Sequence, residues 1–291
     1  MPRASAVARA GRPSAPPGWA ARVLALLEVA RWENALIAAA GVALGAWWAA
    51  GAVTAATGWA AVAAVGLAAL ANAFNDVHDA DIDAVAHPDR PIPSQRVTPR
   101  EAAGLALAGA TAAVVAAALV SPALSWATVG VAGAMISYTL WLKPRGAVGN
   151  VAVALIASLP FVYGAWSVGA PGGAALLYTL AVPLHLAREI AKDLDDAVGD
   201  APHRRTVPVA LGAVRARSLL AAVSVVFACV ATAAFVRGGL AAVALLVPAL
   251  GCCAAAVVRA RAGGVGAPRL LKAAMLLAMG AAFTARAGRL I

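Results

Sequence analysis

Stretches of roughly 20 mostly apolar residues, the length that crosses a hydrocarbon core as a helix, recur about nine times along this chain. Nine such helices use roughly 180 residues, and the 291-residue chain then keeps short loops and no room for a second folded domain. Composition agrees. Hydrophobic residues make up 63% and charged residues 12%, against about 25% charged in a soluble domain. Mean hydropathy is +0.83. A soluble enzyme and a disordered chain are both excluded. The expected fold is an all-α, polytopic membrane protein.

The spacing predicts spans at 34–50, 55–78, 101–120, 122–142, 148–168, 174–196, 217–236, 239–258 and 269–287. Residues 1–18 read as a flexible tail and 19–291 as one transmembrane domain. The first apolar block lacks a convincing cleavage site and reads as a retained span. Pro122, Pro171 and the Gly238-Gly239 pair mark tight connections. Cys229, Cys252 and Cys253 sit inside late apolar blocks without metal-ligand spacing and read as small packing residues.

Charge orients the chain. With the N-terminus in the cytoplasm and nine alternating spans, 20 of the 23 Lys and Arg residues fall on the cytoplasmic side. Arg237, Arg286 and Arg289 are the exceptions. The net charge of +10 is thereby explained without a nucleic-acid partner, and no obligate protein partner is evident.

The acids are the informative minority. Nine of 13 lie in two stretches, NAFNDVHDADID and REIAKDLDDAVGD, each closing a predicted span at its cytoplasmic end. Carboxylates beside hydrocarbon are costly and are functional candidates by default. At about 100° per residue, Asn72, Asn75, Asp76, Asp79 and Asp83 share one helix face, and Asp81 points away. In the second stretch Glu189, Lys192, Asp193, Asp196 and Asp200 share a face, and Asp195 turns aside. Two stripes of oxygen ligands on one side of the membrane suit hard divalent cations, with Mg²⁺ cradling a diphosphate between them. Arg90, Lys143, Arg204 and Arg205 are the candidate diphosphate cations, and the apolar interior is the place for a hydrocarbon tail.

These stretches resemble the UbiA superfamily of intramembrane prenyltransferases. Asn75, Asp79 and Asp83 match its Asn-x-x-x-Asp-x-x-x-Asp signature, and Asp196 and Asp200 its Asp-x-x-x-Asp signature. RPIPS at 90–94, the segment from Tyr138 to Lys143, Gly149-Asn150 and RTVP at 205–208 add to the likeness. The finer pattern is similar to the archaeal-type digeranylgeranylglyceryl phosphate synthases, which join an isoprenoid diphosphate to a prenylated glycerol phosphate. Two departures stand out: Gln95 follows RPIPS where glycine is usual, and the glycine expected shortly before HRRT is absent.

The resemblance implies a helical bundle around a central apolar cavity, with a cytoplasmic-side active site in the cell (inner) membrane. It implies Mg²⁺-dependent transfer of a prenyl group, geranylgeranyl by the finer likeness, to a lipid acceptor through an allylic cation. Asp79, Asp83, Asp196 and Asp200 are then the catalytic acids. Asn75, Asp76, Asp79, Asp83, Asp193, Asp196 and Asp200 would hold the metal, and Asn72, Arg90, Tyr138, Lys143, Asn150, Arg204 and Arg205 the substrates. The alternative acceptor is an aromatic acid of quinone biosynthesis. A transporter is disfavoured because the acids lie at one membrane edge rather than the midplane. An alcohol phosphotransferase is disfavoured because neither acid stretch has that enzyme's signature.

Overall fold

The computed structural model describes residues 18–200 and 205–288, with only the helical backbone for 198–200. The tail through residue 17 and Arg204 lie outside the described residues, as does the side chain of Asp200. Thirteen α-helices form the described chain, and it holds no strand. They are α1 (Trp19–Ala30), α2 (Trp32–Ala50), α3 (Ala55–His78), α4 (Ala80–Ala86), α5 (Pro99–Ala118), α6 (Pro122–Ser137) and α7 (Ala147–Ala157). They continue with α8 (Pro160–Ser167), α9 (Ala175–Asp200), α10 (Val207–Leu211), α11 (Ala213–Phe235), α12 (Leu240–Arg261) and α13 (Ala267–Ala287).

Eight helical segments of the described chain are long and apolar enough to span a membrane. They correspond to the second through ninth predicted spans. The first predicted span is the 19-residue α2, whose first turn carries Glu33 and Asn34; it packs against α3, α8 and α13 as the ninth member of the bundle. Two features depart from the sequence expectation. Helix α1 is too short to span, and it leaves Trp19, Leu24 and Leu27 exposed. The fifth span is broken at Pro160 into α7 and α8, since proline cannot continue the hydrogen-bond ladder and begins a helix readily. Of the cysteines, Cys253 packs in the core, whereas Cys229 is exposed on α11.

Local chemistry sets the helix ends. Thr54 and Thr57 form a capping box at the start of α3, and Thr98 and Glu101 form another at the start of α5, with Pro99 in the first turn. Ser121 caps α6, with Pro122 in its first turn. Packing relies on small residues, as expected where lipid supplies no hydrophobic drive between helices. One close example joins α3 to α5. A Cβ on Gly66 would lie 2.5 Å from the Gly109 carbonyl oxygen, and a Cβ on Gly109 would lie 2.7 Å from that of Gly66. This contact holds in place the helix that carries the first acid stripe.

Two packed clusters result, one built mainly from α1, α2, α3 and α5, the other from α9, α11, α12 and α13. Between them lies a cavity of about 320 Å³, lined from α2, α3, α6, α7, α8, α9, α11 and α13. The connections carrying most cations gather at one end of the bundle. Arg96 makes a two-pronged contact with Glu28 of α1 (2.5 and 3.0 Å), Gly266 donates to Asp195 of α9 (2.8 Å), and Lys272 donates to Glu33 (2.7 Å).

The glycine contact gives a paired expectation. Gly66→Ala should lower stability by about 1–3 kcal/mol through overpacking. Gly58→Ala, on the same helix with open space around it, should raise stability by about 0.5–1 kcal/mol. Thermal denaturation in detergent reads both signs.

Candidate active site

Helix α3 ends at His78, but the chain keeps turning. The Asp79 amide donates to the Asn75 carbonyl (2.9 Å), and the Asp83 amide donates to that of Asp79 (2.8 Å). The acid stripe therefore runs on into α4 without losing register. Asp76, Asp79 and Asp83 are only 6%, 3% and 3% exposed, while Asp81 and His78 are exposed. A buried carboxylate needs a partner, and each finds a cation from a different part of the chain. Arg31, in the left-handed bend between α1 and α2, donates to Asp76 at 3.0 Å. Arg90 donates to Asp83 at 2.5 Å. Lys143 donates to both Asn75 and Asp79, and Asn75 also donates to Asp79 at 3.3 Å.

Lys143 reaches that position through a local irregularity. After α6 the helix widens into a π turn, Tyr138–Leu142, closed by the Lys143 amide on the Tyr138 carbonyl. Residues four apart on an α-helix drift by about 40°. The wider turn offsets that drift, so Met135, Thr139 and Lys143 all line the central cavity, as does Tyr138. Gly146 follows with a φ of 58°, and a Cβ there would lie 2.3 Å from the Arg205 carbonyl oxygen. Asn150, one turn on, is buried and donates to Asp193 of α9 at 2.8 Å. The Val207 amide donates to the same Asp193 oxygen at 3.4 Å.

The second wall is α9. Its cavity face runs Leu177, Leu180, Leu184, Arg188, Glu189 and Lys192, apolar first and charged last. Arg188 donates to Glu189 at 2.8 Å, and Lys192 lies 3.9 Å from the same carboxylate. Asp195 turns to Gly266, away from the stripe. Asp196 meets the first wall: with Asp79, Asp83, Arg90, Lys143 and Lys192 it lines a polar pocket of about 30 Å³. Arg31 and Asn75 line both this pocket and the larger cavity.

Several residues read from the sequence as ligands have other partners here. Asp76 is held by Arg31 and lines neither pocket. Asp193 and Asn150 tie α7 to α9. Asn72 faces the cavity while its amide donates to the Ala30 carbonyl at 3.0 Å, fastening α1. Arg205 is exposed and lines neither pocket. Among the described residues no three His, Cys, Asp or Glu side chains form a ready metal cluster. The oxygens of Asn75, Asp79, Asp83 and Asp196 nonetheless edge one small polar pocket, and this donor set suits a hard cation.

Sequence reading gives Asn34 and His185 no cavity role and counts Arg31, Arg188 and Lys272 among the cytoplasmic charges; all five line the cavity. The available signal was periodicity: His185, Arg188, Glu189 and Lys192 extend the Leu177–Leu184 stripe at helical spacing.

The RPIPS loop carries a strained residue. Ser94 donates to the Arg90 carbonyl (2.7 Å), and Gln95 then adopts a φ of 61°. That is the left-handed region favoured by glycine.

The fold and site define a class: a helical membrane protein whose apolar cavity opens beside two facing acid-bearing helix ends. The pattern of the UbiA prenyltransferase family matches residues 17–282, and the chain belongs to that family of prenyl-transferring enzymes. It is 43% identical over 214 residues to a digeranylgeranylglyceryl phosphate synthase of Halobacterium salinarum, covering 72% of this chain and 75% of that one. It is 36% identical over 266 residues to the Natronomonas pharaonis protein of the same name, covering 88% and 95%. The fold also matches a UbiA homolog from Archaeoglobus fulgidus bound to GPP and Mg²⁺, with a TM-score of 0.69 at 15% identity over 92% of this chain and all of that one.

Replacing Gln95 by Gly should relieve the left-handed strain and raise stability by about 1 kcal/mol, read as a higher thermal midpoint in detergent.

Proposed function

We propose that this prenyltransferase moves a geranylgeranyl group from its diphosphate to the free hydroxyl of geranylgeranylglyceryl phosphate, with Mg²⁺, at the cytoplasmic face of the cell membrane. One observation carries the reading: the acidic stripes of α3–α4 and α9 line one polar pocket that shares Arg31, Asn75, Lys143 and Lys192 with a long apolar cavity. The names of the archaeal relatives support the glycerol-phosphate acceptor, and the GPP and Mg²⁺ in the Archaeoglobus fulgidus homolog support the donor class and the metal. The bias of cations toward one set of loops supports the orientation.

In this reading Asn75, Asp79, Asp83 and Asp196 hold Mg²⁺, with Asp200 as a further ligand. Bound there, Mg²⁺ supplies charge neutralisation to the departing diphosphate. Lys143 and Arg90 donate to the diphosphate oxygens and stabilise the charge that develops as the allylic C–O bond breaks. Arg204 and Arg205 are the further candidate cations for the same anion. Asp76 and Asp193 act by position, fixing Arg31 and Asn150. The leaving group departs with the electron pair. The cavity walls keep water from the allylic cation, and the Tyr138 ring faces it. The acceptor oxygen then forms the ether bond, and its proton passes to the released diphosphate.

Radiolabelled geranylgeranyl diphosphate, offered with geranylgeranylglyceryl phosphate and aromatic acids side by side, tests this. Label should appear in a double ether lipid and vanish with EDTA. Asp79→Ala and Asp196→Ala should each lower turnover at least about a hundredfold, with the fold intact. Asp81→Ala, at an exposed position, should retain most activity. Label found only in an aromatic product would overturn the acceptor assignment.

A further inference from the structure

The prenyl-diphosphate chemistry uses Lys143 and Arg90 at the small acidic pocket. It gives no role to two cations that face only the larger cavity. Arg188 of α9 and Lys272 of α13 line the central cavity and do not line the acidic pocket. Arg188 stands eight residues before Asp196, about 12 Å deeper along the helix axis. Charges at such a position are costly and call for a function.

Their counter-charges leave the cavity wall positive. Glu189 serves both Arg188 and Lys192. The partner of Lys272 is Glu33, whose side chain is 64% exposed and does not line the cavity. The partner of Arg31, Asp76, does not line it either. The wall thus shows five cations, Arg31, Lys143, Arg188, Lys192 and Lys272, against one carboxylate, Glu189. Below them the lining is apolar, from Leu184, Leu180 and Leu177 on α9 to Met275 and Met279 on α13.

We propose that Arg188 and Lys272 form a second anion subsite, which takes the phosphate monoester of the acceptor lipid and so sets acceptor choice. This rests on the prenyl-transfer reading above. A phosphate monoester carries a charge near −2 and three acceptor oxygens, which a guanidinium and an ammonium on two walls of one cavity suit. An aromatic carboxylate carries half that charge. In a monoprenyl glycerol phosphate the free hydroxyl lies only a few bonds from the phosphate. A headgroup anchored at Arg188 therefore directs that hydroxyl toward the acidic pocket, while its hydrocarbon tail follows the apolar lining.

The test is steady-state kinetics on the full chain in detergent with Mg²⁺ and geranylgeranyl diphosphate. The acceptors are geranylgeranylglyceryl phosphate and the corresponding dephosphorylated alcohol. Arg188→Gln and Lys272→Gln should each raise the KM for the phosphorylated acceptor about tenfold or more. The KM for geranylgeranyl diphosphate and turnover of the alcohol should stay unchanged, which also shows the variants fold. Arg188→Lys should recover part of the loss. Glu33→Gln, which breaks the Lys272 ion pair from the other side, should leave the acceptor KM unmoved. Inorganic phosphate should compete with the acceptor in the wild type and lose that competition in Arg188→Gln. An unchanged acceptor KM in both variants, or a rise in the donor KM instead, overturns the proposal. Failure of the wild type to use either glycerol lipid overturns the acceptor reading beneath it, and this subsite with it.

Discussion

Three carboxylates buried at one end of a membrane bundle impose the arrangement of everything around them. An uncompensated charge in that setting costs several kcal/mol. Asp76, Asp79 and Asp83 are therefore matched by Arg31, Lys143 and Arg90. These cations come from the α1–α2 bend, the end of the α6 span and the loop after α4. Pairing one short stretch of α3–α4 with three distant segments draws those segments to the same end of the bundle. The same pairing leaves a polar pocket beside an apolar cavity, and the chemistry of a charged headgroup on a hydrocarbon chain follows from that adjacency.

Backbone irregularity completes the site where regular helices would miss it. The π turn at Tyr138–Leu142 brings Lys143 onto the Asn75–Asp79 pair. Gly146, at positive φ, lets the chain turn close against the Arg205 carbonyl, and α7 then delivers Asn150 to Asp193. At Gln95 the chain accepts a left-handed conformation with a side chain poorly suited to it, in a loop whose neighbours Ile92 and Val97 are buried. Local cost at a turn is tolerated where surrounding packing over-determines it.

Much of this was legible beforehand, for identifiable reasons. Apolar blocks of membrane-spanning length gave the bundle, because each block meets the bilayer constraint alone. The helical period showed which acids share a face: Asp81 is exposed and Asp195 turns to Gly266, as 100° per residue requires. The partners were not legible. Nothing in sequence spacing pairs Asp76 with Arg31 or Asp193 with Asn150, because those contacts depend on how helices cross. The π turn has no sequence signature of its own. Helix α1 escaped notice because its 12 residues are too few to span. Lys272 counts among the cytoplasmic charges at the start of the ninth span, and only the packing of α13 turns it to the cavity.

Arg31 and Lys192 border both cavities. A flexible cation on that shared border has one position at a time, so an anion on one side alters the field felt on the other. Linkage makes such an influence mutual: whatever donor occupancy does to acceptor affinity, acceptor occupancy does to the donor by the same factor. Two substrates meeting across common charged side chains cannot bind as strangers. In the proposed reading, their affinities are coupled through one partition rather than through a moving domain.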